Sequence, residues 1–210
     1  MAGGLGVVGR DPSDDEIVLG VLDAVEQDPA LTQRSIAREL GIALGLANAY
    51  LRRCVHKGYI KVGQVPRRRY AYYLTPQGFA EKSRLTASYL SHSFSFFRRA
   101  REQFAVIFAA AAADQQTRVL LLGAGDLADI ARLVVPEHGV EIVGVCPEVA
   151  DEAELTTALS SFGRVDAVIV TALERSQEIF DIARAVLPSG RVYAPDLLRL
   201  RVPKADPDQE

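Results

Sequence analysis

The sequence predicts an α+β helical domain closed by a β-hairpin, then a long connecting helix, then an α/β domain with a short parallel sheet. Three observations predict it. Between Leu31 and Phe104 short helical patterns, turn glycines and a hairpin occupy a stretch with 14 Lys+Arg against 3 Asp+Glu, in a chain whose net charge is −3. Apolar residues then keep three- and four-residue spacing from Gln77 to about Ala113. From Arg118 the period changes to short branched runs separated by helical patterns, which implies right-handed βαβ units.

Each element has a local reason. Met1 to Ser13 reads as a flexible leader. Asp14 and Asp15 open a helix with Ile17, Val18, Val21, Leu22 and Val25 on one face, and Asp28-Pro29 ends it. Thr32 is the expected N-cap of a short helix carrying Ile36, Ala37 and Leu40, stopped by Gly41. A third helix runs from about Leu44 to Lys57 and stops at Gly58. Strands at Tyr59–Val62 and Tyr70–Leu74 flank the connection from Gly63 to Arg69. Thr75-Pro76 opens the long helix, since Pro suits a first helical position. Along it Leu90, Phe94, Phe97, Phe104 and Phe108 form a stripe, interrupted by Arg101, that is expected to be a dimer seam. Asp114-Gln115-Gln116 is a polar linker. Strands are then expected at Val119–Leu122, Glu141–Val145, Ala167–Val170 and Arg191–Tyr193. Helices are expected at Leu127–Val135, Glu152–Ser161 and Ser176–Leu187. The expected divisions are a leader (1–13), a helical domain with its hairpin (14–80), a connector helix and linker (81–116), an α/β domain (117–203) and a tail (204–210).

Composition narrows the classes. A 49% hydrophobic content supports real cores, and no run reaches the length of a membrane span. The amino end lacks the basic and apolar regions of a signal peptide. Cys54 and Cys146 have no neighbour at metal-ligand spacing, and His56, His92 and His138 are scattered. A cytoplasmic location with no membrane partner is the expectation.

The third helix carries the DNA-binding expectation. Ala47, Leu51 and Cys54 share an inward face, while Gly45, Ala49, Arg52 and His56 lie opposite, flanked by Asn48 and Arg53. Small residues let a helix approach a major groove. Asn48 can pair with adenine, and Arg52 with guanine or phosphate. Arg67, Arg68 and Arg69 would enter a minor groove or clamp phosphates from the hairpin tip. A solvated charged loop used for protein contacts is the alternative reading of that triplet. Turn glycine, spacing, hairpin and segregated charge together favour a winged helix-turn-helix domain on double-stranded DNA.

The segment LTQRSIARELGIALGLANAYLRRCVHKGYIKV, with RRRYAYYLTPQGFAEKSRLTASYL after it, resembles MarR-type winged-helix regulators. It is closest to the branch associated with bacterial exopolysaccharide gene clusters. The resemblance covers about residues 14–104, with LTPQG its most specific feature. It implies a dimeric transcriptional regulator, and a two-fold dimer built on the long helix would read an inverted-repeat operator on DNA as a homodimer.

In the second half, Gly123-Ala124-Gly125-Asp126-Leu127-Ala128 follows an apolar strand and opens a helix, the G-x-G-x-x-A order of a Rossmann-like turn. The helix amino end attracts anions. Glu148 lies where a ribose-binding acid belongs, and Thr171 is expected beside the turn at the carboxyl ends of the strands. Asp126 would repel a phosphate, and a glycine-rich turn with no ligand is the alternative. The segment VLLLGAGDLADIARLVVPEHGVEIVGVCPE is similar to the Rossmann-like domain of sugar acetyltransferases that bind nucleotide-sugars. The domain order, closing with APDLLRLRVP, is similar to Rex redox repressors, which sense NADH. In these resemblances Gly123, Gly125 and Ala128 fall on the glycine fingerprint. Cys146-Pro147-Glu148 departs from an Asp-rich ribose site.

The sequence presents no nucleophile–base or acid–base pair, so no enzyme activity is expected. The leading reading is a dimeric repressor whose α/β half senses a nucleotide-type effector, a nucleotide-sugar or NAD(H). The others are a metabolite-binding enzyme, and a regulator whose α/β half only assembles it.

Overall fold

The computed structural model describes residues 13–65 and 69–201. The chain divides into two compact units, residues 1–93 and 94–210. The first holds α1 (Asp14–Gln27), α2 (Gln33–Glu39), α3 (Leu44–His56), β1 (Ile60–Val65), β2 (Arg69–Leu74) and the start of α4 (Pro76–Ala113).

Side-chain caps start the first two helices. Ser13 Oγ accepts from the Glu16 N–H while the Glu16 carboxylate accepts from the Ser13 N–H. Thr32 and Ser35 make the same reciprocal pair on α2. Val21, Leu22, Ile36, Ala47, Leu51 and Ile60 close a core that includes Leu85 of α4. The hairpin adds to it as an antiparallel ladder from Ile60↔Leu74 to Val65↔Arg69.

The sequence predicts β1 to end at Val62; the strand continues to Val65. Glycine weakens a strand, but here a Cβ on Gly63 would lie 3.1 Å from the Tyr73 ring, so the missing side chain makes room for a cross-strand tyrosine. Arg67 and Arg68 lie outside the described residues.

The LTPQG segment has a physical explanation. Thr75 Oγ1 donates to the Gly58 carbonyl at 2.6 Å and accepts from the Gly78 N–H at 3.0 Å, capping α4. A Cβ on Gly78 would sit 2.1 Å from the Tyr59 carbonyl oxygen. Only glycine lets α4 start that close to the end of α3.

The second unit holds the rest of α4, then β3 (Arg118–Leu122), α5 (Asp126–Val134), β4 (Glu141–Cys146), α6 (Glu152–Ser161), β5 (Ala167–Val170), α7 (Ser176–Val186) and β6 (Val192–Tyr193). The four strands are parallel in the order β4-β3-β5-β6. After α5 the chain adds β4 on one side of β3, and after α6 it adds β5 on the other. That reversal is a topological switch point, between β3 and β5.

Both sheet faces are covered, so β3 and β5 are buried almost throughout. Val119, Leu121 and Ile169 pack on α5 and on Ala100, Phe104, Ile107 and Phe108 of α4. Leu120, Val168 and Val170 pack on Leu155 of α6 and on Ile179, Phe180 and Ala183 of α7. Phe104 and Phe108 therefore correct an expectation: they are fully buried in this chain's own core, with ring centroids 6.1 Å apart, and are not open to a second chain. Their positions in α4 cover a sheet face that α5 alone leaves open. Leu90, Phe94 and Phe97 are exposed.

Candidate nucleic-acid interface and glycine turn

Helix α3 sorts its residues as its spacing demands. Ala47, Tyr50, Leu51 and Cys54 are buried, and burial pushes the Cys54 thiol up to about 11. A thiol held there is protonated and inert at neutral pH. Gly45, Ala49, Arg52 and His56 are exposed together, as the wheel predicts. Leu44 and Leu46 are exposed beside them at the amino end of the helix. They are apolar residues that sequence reasoning passed over. Arg34 and Arg38 of α2 and Lys61 of β1 add exposed cations in the same unit.

Two expected DNA contacts are placed differently. Asn48 is half-buried, and its Oδ1 is shielded from solvent with no hydrogen-bond partner among the described residues. That oxygen must turn outward before both ends of the amide can read a base. Arg53 donates from Nη1 to Asp14 Oδ2 at 2.7 Å, with its guanidinium 5.7 Å from the Tyr50 ring centroid. The Tyr50 hydroxyl donates to the other Asp14 oxygen. These two bonds, Tyr50 first, hold the Asp14 carboxyl below its ordinary range, and Asp14 in turn raises Tyr50 and Arg53. On the hairpin, Arg69 begins β2 opposite Val65, and Tyr70 and Tyr73 are exposed.

The glycine turn lies at the switch point. The Gly123 N–H donates to the Cys146 carbonyl at 2.8 Å. A Cβ on Gly123 would fall 2.3 Å from the Ala172 nitrogen, so the turn after β3 and the loop after β5 touch backbone to backbone. Thr171 corrects its expectation. It is buried, and its hydroxyl donates to the Gly123 carbonyl at 2.6 Å instead of facing a crevice. Leu127 also lies inside, in the core under α5.

What remains at the surface is Ala124, Gly125, Asp126 and Glu148. Gly125 caps α5 at φ 116°, with no atom within 4 Å of a built Cβ. Nearby, Arg175 adopts left-handed backbone and donates from Nε and Nη2 to the two carboxylate oxygens of Glu178, each at 2.7 Å. That pairing raises its pKa, with smaller contributions from Glu148 and Glu154. Burial likewise raises Cys146, whose thiol donates to the Glu148 carbonyl. No group of three or more metal-ligating side chains comes together among the described residues. No helix there is long and apolar enough to cross a membrane.

Comparison with known proteins bears on the first unit. A family of winged helix-turn-helix DNA-binding domains matches residues 14–61. The PcaV transcriptional regulator from Streptomyces coelicolor, in complex with its natural ligand, is similar at 22% identity with a TM-score of 0.36. The match covers 43% of this chain and 64% of that one. MepR, a transcription regulator of the Staphylococcus aureus multidrug efflux pump MepA, is similar at 26% identity with a TM-score of 0.34, over 41% and 64%. This chain thus spans less than two thirds of the length of either regulator. No curated protein matches it. Three helices, the turn at Gly41, the antiparallel hairpin and the family match converge: the amino-terminal part of this chain is a winged helix-turn-helix DNA-binding domain.

Proposed function

We propose that the chain is a dimeric transcriptional repressor of the MarR type, binding an inverted-repeat operator through α3 and the hairpin. The observation that carries this reading is the exposed side of α3. Gly45 and Ala49 leave its backbone bare beside Arg52, in a unit whose other exposed cations include Arg34, Arg38 and Lys61. Bare backbone suits close approach to a groove, and the cations suit phosphates. Exposed Leu90, Phe94 and Phe97 on α4 support self-association, because large apolar stripes on soluble proteins mark contact sites. The exopolysaccharide-type resemblance makes polysaccharide gene promoters the first operators to try.

Selection from a random duplex pool, followed by fluorescence anisotropy across a salt series, tests this. An enriched palindromic site with log Kd linear in log salt supports it. Salt-independent binding, or no enrichment, overturns it.

The α/β half is proposed as the sensor of a nucleotide-type effector, with nucleotide-sugars and NAD(H) the class to test. Gly125 supports it, being open where a ligand would meet the amino end of α5. A second reading, in which this half only assembles the protein, is favoured by exposed Asp126 and Glu148, which repel phosphate. Thermal shift with NADH and a uridine-diphosphate sugar separates the two. A bound effector at a hundredfold above its Kd stabilises by about 2.7 kcal/mol.

A further inference from the structure

Helix α3 presents two adjacent arginines, and among the described residues only Arg53 is tied to another helix. Arg53 pairs with Asp14, the first residue of α1, at 2.7 Å. The Tyr50 hydroxyl holds the second oxygen of the same carboxylate, and the Tyr50 ring lies beside the guanidinium. All three groups are therefore ordered by one another before any DNA arrives. Both charged partners are exposed, and exposed pairs contribute little to stability, so fold stability alone does not account for the arrangement. Its consequence is electrostatic. The Arg53–Asp14 pair carries no net charge, so whichever way the guanidinium leans the pair offers DNA no uncompensated cation. Asp14 also sits in the acidic first turn Asp14–Glu16, where the amino end of α1 favours the ionised carboxylate.

We propose that Asp14 sets the strength of phosphate binding by this domain. By neutralising Arg53 it keeps that arginine out of the phosphate-contact set and lowers affinity for DNA of any sequence. This rests on the DNA-binding reading above. Sequence-independent binding draws almost wholly on phosphate contacts, each lowering the slope of log K against log salt by about 0.9. One withheld arginine therefore lowers affinity by a similar factor at the operator and at random sequence.

The test uses the full chain with a random-sequence duplex and the selected operator. Asp14→Asn steepens the salt slope on both duplexes by about 0.9 and raises affinity for both by a similar factor. Asp14→Asn combined with Arg53→Gln removes the pair without changing net charge and returns the slope to that of the unaltered chain. A slope about 0.9 shallower in the double variant shows that Arg53 already contacts phosphate and overturns the proposal. An unchanged slope in Asp14→Asn does the same. If Asp14→Asn loses its helical circular dichroism, Arg53→Gln decides alone, with an unchanged slope sustaining the proposal and a flattened one ending it. Arg52→Gln is the control. Its flattened slope shows the DNA-binding reading to hold even where the Asp14 proposal fails, whereas no salt-dependent binding by the unaltered chain overturns both.

Discussion

Thr171 donates its hydroxyl hydrogen to the Gly123 carbonyl at 2.6 Å, closing the end of β5 onto the turn that follows β3. Thr171→Val keeps the shape of the side chain and removes the donor. Leaving a buried carbonyl short of this partner costs about 1–3 kcal/mol. Urea denaturation should show a lower midpoint with an unchanged m-value. A midpoint equal to that of the unaltered chain would mean the bond contributes nothing.

Gly123 and Gly125 should respond unequally to alanine. Both have positive φ, so each variant carries backbone strain on the order of 1–3 kcal/mol. At Gly123 the new methyl also meets backbone atoms of Ala172 at 2.3–2.5 Å, whereas at Gly125 it enters open space. Gly123→Ala is therefore expected to melt several degrees lower than Gly125→Ala. The reverse order would contradict the close approach at the switch point.

The stripe on α4 divides by burial, with Phe104 and Phe108 inside and Leu90, Phe94 and Phe97 exposed. Phe104→Ala should cost roughly 3–5 kcal/mol, as for large aromatics removed from a core. Phe94→Ser should cost little in a monomer and should weaken self-association, visible by sedimentation at micromolar concentration. A variant at Phe94 that still sediments as a dimer would move the dimer contact elsewhere.

Asn48→Ala separates base reading from folding. The shielded Oδ1 has no partner to lose, so fold stability should stay within about 0.5 kcal/mol. If Asn48 turns outward on DNA, operator affinity should fall by about 1–3 kcal/mol with specificity relaxed at one position. Equal losses on operator and random DNA would argue against base reading.

The Asp14 pair has a pH signature. Its folded pKa is lowered from 3.8, chiefly by the Tyr50 bond and then by Arg53. A lowered folded pKa contributes stability that is fully present above the unfolded value and lost as pH falls through the folded one. The difference in urea midpoint between the unaltered chain and Asp14→Asn should be small at pH 7, because the pair is exposed, and should vanish below about pH 4. A difference independent of pH would detach it from this carboxylate.

Local signals settled much of this protein in advance. Thr32, Gly41, Gly58 and Pro76 mark helix ends because caps, left-handed turns and first-turn prolines act within a few residues of chain. The alternation after Arg118 specified a parallel sheet because strand and helix impose different periods on apolar residues. The inward face of α3, Ala47, Leu51 and Cys54, followed from the same 3.6-residue geometry. What those periods do not carry is the identity of the partner across the fold. A phenylalanine on a long stripe has the same spacing whether it meets a second chain or a sheet face beginning fourteen residues later, and only packing placed Phe104 on Val119 and Leu121. Thr171 looks like a ligand contact until the carbonyl of Gly123, 48 residues earlier, takes its hydroxyl. Arg53 looks like a free DNA-facing cation until Asp14, 39 residues earlier, takes its charge. Propensity and periodicity are short-range properties of the chain, whereas burial, hydrogen bonding and charge neutralisation are decided by residues that become neighbours only on folding.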